Sequence, residues 1–534
     1  MTTGKDAIPR WIFLVVILLG QIILTLAIQE LRILGLVQAA GLALFGLYSV
    51  MRRDLASLLC VMAYLTGAEI VWRQVRAPVF YLAAPYLLIA LSVFAVILVL
   101  GRLGRDSRLA LLYAGLLVPA VISTIRTTGT GSRELIAFAL SGPIALAAFV
   151  AFTSQVKVER WLYRRILWTT LISAVGPLTI AVQSTRAQLA ATGSVNFKSA
   201  SNFVTSGGFG PVQVSSMLSL GAMAAVLLIL SESDRFVRIL AGIVASALVV
   251  QTLLTFSRGG STSLAIAVTG LALVNAKSPR IRNRILVIAA VAFTVGYLLV
   301  FPWLETFTGG AFNERFSDTQ SARTTLAGND IKIFEDNFLF GVGPGMTKYQ
   351  RLTYEVCQLR SDKCRDEASS HTEFTRMLGE HGIPGAIAIV IMGLLAVNSF
   401  RRRGEGRALA FTWMLWAISQ MFYANLRIVA VPFAFGLAFL RLSDEDDDDE
   451  SDPAAADEEL WPDGNPMHVP VTDWSEDPPG RKRTIGFGAG YGPPEHTRPE
   501  HVAHVGFGAG WGAPRVIDGT GPDTSPRGSI RPEL

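Results

Sequence analysis

Three polar clusters interrupt an otherwise apolar chain, and each has the residue types that proton transfer or anion binding requires. The first is Ser370-His371-Thr372-Glu373, which fits a capping box with Ser370 as N-cap and Glu373 at the third helical position. On that spacing His371 falls in the first helical turn, where the positive helix end disfavours protonation. A neutral imidazole at pH 7 is what a general base needs, and the same helix end attracts anions. Phe374 and Leu378 share a face with His371, so the helix is expected to lie against a bundle and to break at Gly382-Ile-Pro384-Gly385. The competing reading is a surface histidine on a cap. His381, immediately before the break, reads as a helix-end residue.

The second cluster is Phe256-Ser257-Arg258-Gly259-Gly260, between two apolar runs. An arginine at a membrane edge is costly unless it snorkels or pairs, and two glycines after it allow a tight turn or a close ligand approach. The bland alternative is a snorkelling arginine in a turn. The third is Ser321-Ala-Arg323-Thr-Thr-Leu, which opens an amphipathic helix with Ala327, Ile331 and Phe334 along one stripe. Asn337-Phe338-Leu339-Phe340-Gly341-Val-Gly343-Pro-Gly345 follows, and its alternate glycines, Gly341, Gly343 and Gly345, are a candidate phosphate loop or a structural turn. Arg323 could pair with phosphate in a fork geometry.

What must position these clusters is a membrane scaffold. The chain has 534 residues, 51% of them hydrophobic and only 17% charged, with mean hydropathy +0.42; a soluble domain carries about 25% charge. Apolar runs long enough to span occur near 11–28, 32–50, 55–72, 80–100, 109–123, 134–152, 166–183, 211–230, 239–256, 261–275, 285–301, 383–400, 408–426 and 428–442. The first run lacks a following cleavage site and reads as a retained helix, not a signal peptide. The expected fold is therefore an all-α polytopic membrane protein of about fourteen helices, with twelve or thirteen as alternatives and 109–123, 261–275 and the final pair as the weakest spans.

Lys and Arg concentrate in alternate short loops, such as Arg52–Arg53, Lys157 with Arg160, Arg164 and Arg165, and Arg401 to Arg403. By the positive-inside rule both termini are cytoplasmic and the loop 302–382 is outside. The pI near 9.1 is thus a topology signal and not a sign of nucleic acid. Cys357 and Cys364 lie in that large loop and form a candidate disulfide in an oxidising compartment. A metal site is the alternative, but there is no second thiol pair. Glu69 and Arg427 are buried-charge candidates, expected to pair structurally. The transmembrane domain is 1–442; the segment 443–534 is acidic and then Gly/Pro-rich, and cannot bury enough apolar area to fold. Its repeat, Ile485 to Pro493 and again Val505 to Ala513, reads as flexible aromatic stickers that could dock other envelope-assembly proteins.

Together, S-R-G-G at the start of a span, the R-x-x-x-L helix followed by F-G-V-G-P-G, and H-T-x9-G-I-P-G before the next span resemble the O-antigen ligase and polymerase superfamily. One departure is Thr372, where the family usually has Asn, Ser or Gln. The resemblance implies a metal-independent, cofactor-free, inverting glycosyltransferase of the GT-C type in the cytoplasmic membrane. Its donor would be a glycan on undecaprenyl diphosphate, and its acceptor a glycan, lipid or protein hydroxyl. It implies His371 as base and Arg258 and Arg323 as diphosphate ligands, with an apolar groove between spans holding the polyprenyl chain and membrane lipids as further partners. Ligase, polymerase and protein O-oligosaccharyltransferase share this mechanism. A lipid-linked oligosaccharide flippase is the alternative from another class, as is a scaffold whose working part is the acidic tail.

Overall fold

The computed structural model describes residues 9–197, 201–276, 279–317, 322–351, 370, 372–401 and 404–443. The repeat-bearing segment, Cys357, Cys364 and His371 lie outside the described residues.

Apolar runs become helices because, in a bilayer, a span must satisfy its own backbone hydrogen bonds. In order these are α1 (Arg10–Glu30), α2 (Ile33–Met51), α3 (Leu55–Gln74), α4 (Ala83–Ala95), α5 (Arg105–Leu116), α6 (Val121–Thr128), α7 (Ser132–Thr153), α8 (Arg160–Thr192), α9 (Pro211–Ser231), α10 (Arg235–Leu254), α11 (Arg258–Val274) and α12 (Pro279–Val295). Four short or amphipathic helices follow: α13 (Phe301–Phe307), α14 (Ala311–Ser317), α15 (Ala322–Asp336) and α16 (Thr347–Gln350). The chain then returns through α17 (Glu373–Phe400), α18 (Gly404–Met421) and α19 (Ala430–Leu437). Side-chain caps start some of them: Asp54 accepts from the Ser57 amide at 3.0 Å and Asp234 from the Phe236 amide at 2.8 Å.

Among the described residues ten helices are long and apolar enough to cross a membrane. They account for the expected spans from 11–28 to 239–256 and for 383–400; the span at 109–123 is built from two helices, α5 and α6, within Arg105–Thr128. The expected span at 261–275 is α11, of 17 residues. That at 428–442 is helical only over the 8 residues of α19, about 12 Å at 1.5 Å per residue, well short of a bilayer core of about 30 Å. This last passage is tolerated because α19 is buried throughout, with Phe433 stacked on Phe149 of α7 at 5.4 Å. It ends in a two-residue strand, Arg441–Leu442, paired in parallel with Lys157–Val158, a small exception to the all-α plan.

Long-range contacts sort the bundle into two ends. At one, Arg10 grips Glu232 at 2.9 and 3.0 Å, Trp168 donates to Glu232 at 3.1 Å, Asn398 donates to Asp106 at 3.0 Å, and the two strands pair. At the other end lie the starts of α9, α11 and α17 and the large loop. Between them α3, α7, α8 and α9 form the buried centre, while α1 and α2 expose most of their apolar side chains, as a lipid-facing surface does.

Candidate functional site

The start of α17 differs from the capping-box expectation. Thr372, extended at φ −130°, is the N-cap, and its Oγ1 accepts the Thr375 amide at 3.1 Å. The Ser370 hydroxyl is already engaged, by Arg351 and by Thr347 at 3.3 Å. Glu373 does not reach back either: it takes Arg376 Nε at 2.8 Å and the Leu426 amide at 3.2 Å. The helix therefore begins two residues later than expected, and His371 precedes the cap instead of standing in the first turn. The buried face of the first turns is charged, comprising Glu373, Arg376 and Glu380 with Met377, while Phe374 packs on Phe422 at 4.8 Å.

A ring of polar contacts joins the two neighbours of His371. Arg351 donates to Asp330 at 2.9 Å and to Ser370. Thr375 donates to the other Asp330 oxygen at 3.0 Å and lies 2.7 Å from the Thr372 hydroxyl. One buried carboxylate on α15 thus ties Ser370 and Thr372 together. Because a buried carboxylate must be paired, this anchor outranks the apolar stripe: α15 buries Asn329, Asp330 and Ile333, and Ile331 of the expected stripe is 42% exposed. Arg323 falls in the first turn of α15, and its side chain is outside the described residues.

The glycine segment holds the break in α17. Gly382 has φ +62°, and a Cβ there would lie 2.5 Å from the Phe338 carbonyl oxygen. Gly341, Gly343 and Gly345 all have positive φ. Their amides are turned to protein oxygens: Gly341 donates to Asn337 at 2.9 Å, Val342 to the Gly379 carbonyl at 3.0 Å, Gly343 to the Glu380 carbonyl at 2.9 Å, and Gly345 to the Glu380 carboxylate. An anion at these amides would have to displace those bonds. Thr124 of α6 completes the clamp by donating to the Pro344 carbonyl at 3.1 Å.

Arg258 opens α11, with Ser257 before it. Phe256 adopts φ +55° although fully buried, and its ring stacks on Phe197 at 4.8 Å. A non-glycine residue in that region stores about 1–3 kcal/mol, and the turn it makes lets the next residues start a helix. Gly260 allows that helix to press on α9, since a Cβ would sit 2.3 Å from the Ser215 carbonyl oxygen. The half-buried Arg258 guanidinium donates to the Arg315 carbonyl of α14, Arg315 Nε donates back to the Phe256 carbonyl at 3.2 Å, and Arg258 Nε has no hydrogen-bond partner among the described residues.

Of the two buried-charge candidates, Glu69 pairs structurally. Glu69 forms an ion pair with Arg73 and accepts the Val429 amide at 2.8 Å. Arg73 reaches Gln213 at 3.3 Å and covers the Tyr81 ring at 4.1 Å, lining a cavity of about 340 Å³ with Arg76, Phe80 and Phe209. Arg427 stands over Phe138 at 4.9 Å and in the field of Glu373 and Glu380. Sequence reasoning missed Asp330, Arg351, Arg376 and Glu380. The i, i+3, i+7 spacing of Glu373, Arg376 and Glu380 on one helix face was the signal available.

Against this geometry, residues 243–390 match the model of a family described as O-antigen ligase. The match supports the O-antigen ligase and polymerase superfamily, and with it an O-antigen ligase-type enzyme of polysaccharide biosynthesis. The many apolar helices and this family point to a multi-pass protein of the inner membrane. No curated protein matches the sequence.

Proposed function

We propose that the protein transfers a glycan from undecaprenyl diphosphate to a hydroxyl acceptor, on the outer face of the cytoplasmic membrane. The observation that carries this reading is that the matched stretch, 243–390, contains Arg258, Arg323 and His371 together, and that the described residues around them gather at one end of the bundle. The acceptor oxygen attacks the anomeric carbon as the bond from that carbon to the diphosphate oxygen breaks. The diphosphate leaves with the electron pair, and its growing charge is met by the guanidinium groups of Arg258 and Arg323. His371 takes the acceptor proton. Attack opposite the leaving group inverts the anomeric centre, and the two cations supply positive charge that a divalent ion would otherwise bring.

In this reading the site end faces outward, and the end carrying Glu232 and the paired strands faces the cytoplasm. The description of the matched family favours a ligase; a polymerase differs only in passing the glycan to another lipid-linked unit. The test is the surface polysaccharide of a deletion strain complemented with the wild-type protein or with His371→Ala. Loss of attachment with free lipid-linked polymer indicates a ligase, and loss of long chains with a single repeat retained indicates a polymerase. Normal polysaccharide from His371→Ala would remove the proposed base.

A further inference from the structure

Against the bend in α17, the chain carries three consecutive large apolar residues that none of the described residues covers. Phe338, Leu339 and Phe340 are 52%, 56% and 54% exposed. They are not at a frayed end. The Gly341 amide closes their turn on Asn337, and the Phe338 carbonyl accepts the Ile383 amide at 2.8 Å, so the turn is pinned to the bend from both sides. Three adjacent exposed apolar side chains on a fixed turn are costly in water.

Their surroundings say what covers them. From Ile383, α17 exposes Ile383, Ile387, Val390, Leu394 and Val397, at intervals of four and three residues that trace one helix face. On a spanning helix this face meets lipid. The turn at 338–340 is bonded to the first residue of that stripe, so its side chains prolong the same apolar surface past the point where the helix bends. On the preceding helix, by contrast, the exposed positions of the last two turns are Ile331, Lys332, Glu335 and Asp336, three of the four charged. Past Asn337 the next three exposed positions are all apolar, as expected where a surface passes from water into the membrane.

We propose that Phe338, Leu339 and Phe340 are a wedge immersed in the lipid leaflet at the site end of the bundle, its partner being the acyl chains of the bilayer. The wedge fixes the depth of the large loop. Through the Val342 and Gly343 amides it holds the bend at Gly379–Gly382, and through Asp330 the ring around Ser370 and Thr372, against the membrane surface. Immersion of the wedge does not depend on the glycosyl-transfer reading.

The test uses the full-length wild-type protein in phosphatidylglycerol/phosphatidylethanolamine nanodiscs containing a phospholipid with a diazirine in its acyl chain. After irradiation, adducts are mapped by peptide mass spectrometry. Adducts on 338–340, at a yield within about threefold of that on the 387–397 stripe, are expected, with none on 329–336. Adducts on the stripe with none on 338–340 would overturn the proposal. As a second measurement, the double variant Leu339→Asp, Phe340→Asp is compared with wild type for thermal unfolding in nanodiscs and in detergent. Immersion predicts a larger loss of unfolding temperature in nanodiscs. An equal or smaller loss there sinks the idea, and failure of the variant to fold leaves the wild-type labelling decisive. Loss of transfer activity in a variant whose wild-type parent shows no labelling would count against the wedge but not against the transferase reading.

Discussion

The two ends of the bundle handle buried charge differently. At the end with the paired strands, Glu232 is the buried carboxylate, and it is met by Arg10, whose side chain is half exposed, and by Trp168. At the other end Glu69, Asp330, Glu373 and Glu380 are all buried, with Arg73, Arg351 and Arg376 buried beside them. Burying ion pairs contributes little net stability, because the desolvation cost offsets the attraction. What such pairs do supply is fixed direction: Asp330 and Arg351 define where Ser370 and Thr372 sit, and Glu373 defines where the Leu426 amide sits. One end leaves its ion pair partly in water, and the other fixes the direction of its groups by burying them.

The largest expected effect lies at the proposed base. His371→Ala should reduce glycan transfer by about 10²–10⁴-fold while the protein keeps its wild-type unfolding temperature, measured with purified enzyme and a lipid-linked donor. An unchanged rate would remove His371 as the base. Asp330→Ala strands Arg351 without its buried counter-ion, and a loss of about 3–5 kcal/mol is expected for breaking such a pair, read as reduced hydrogen-exchange protection over 326–351. Arg258→Ala should slow transfer by about 10²–10³-fold, the usual consequence of losing one oxyanion donor. Arg258→Lys should restore little, since a point charge does not reproduce the fork. Thr372→Ala removes a helix cap, worth about 1 kcal/mol, and should lower unfolding temperature slightly. Glu232→Gln at the opposite end is the control: Arg10 can turn to water, so stability should fall by under about 1 kcal/mol, with transfer unchanged. If Glu232→Gln proved as damaging as Asp330→Ala, the contrast between the ends would be lost.

Much of the scaffold was legible because a bilayer demands long apolar runs, and the runs from Trp11 to Thr255 became helices close to where they were expected. The break at Gly382-Ile-Pro384-Gly385 was legible for a similar reason, since glycine and proline punctuate helices whatever surrounds them. The cap was not. Ser370 and Thr372 are both good N-cap residues two positions apart, and the choice falls to Arg351, 19 residues upstream of Ser370, which occupies the serine. Local pattern likewise chose the wrong face of α15, because a long-range ion pair to Asp330 fixed its rotation. Segment 428–442 looked like a span by hydropathy, yet complete burial lets a short helix and a strand serve. In each case the deciding partner was far away in sequence.

Phe256 carries a consequence for anyone seeking a hardier form of this enzyme. Its torsion is one that glycine would adopt at ease, so Phe256→Gly relieves about 1–3 kcal/mol. The same change empties the space its ring fills beside Phe197 and Phe312, which costs about 3–5 kcal/mol. Any other bulky side chain inherits the torsion without the fit. Selection for heat resistance should therefore leave position 256 untouched, however large the library.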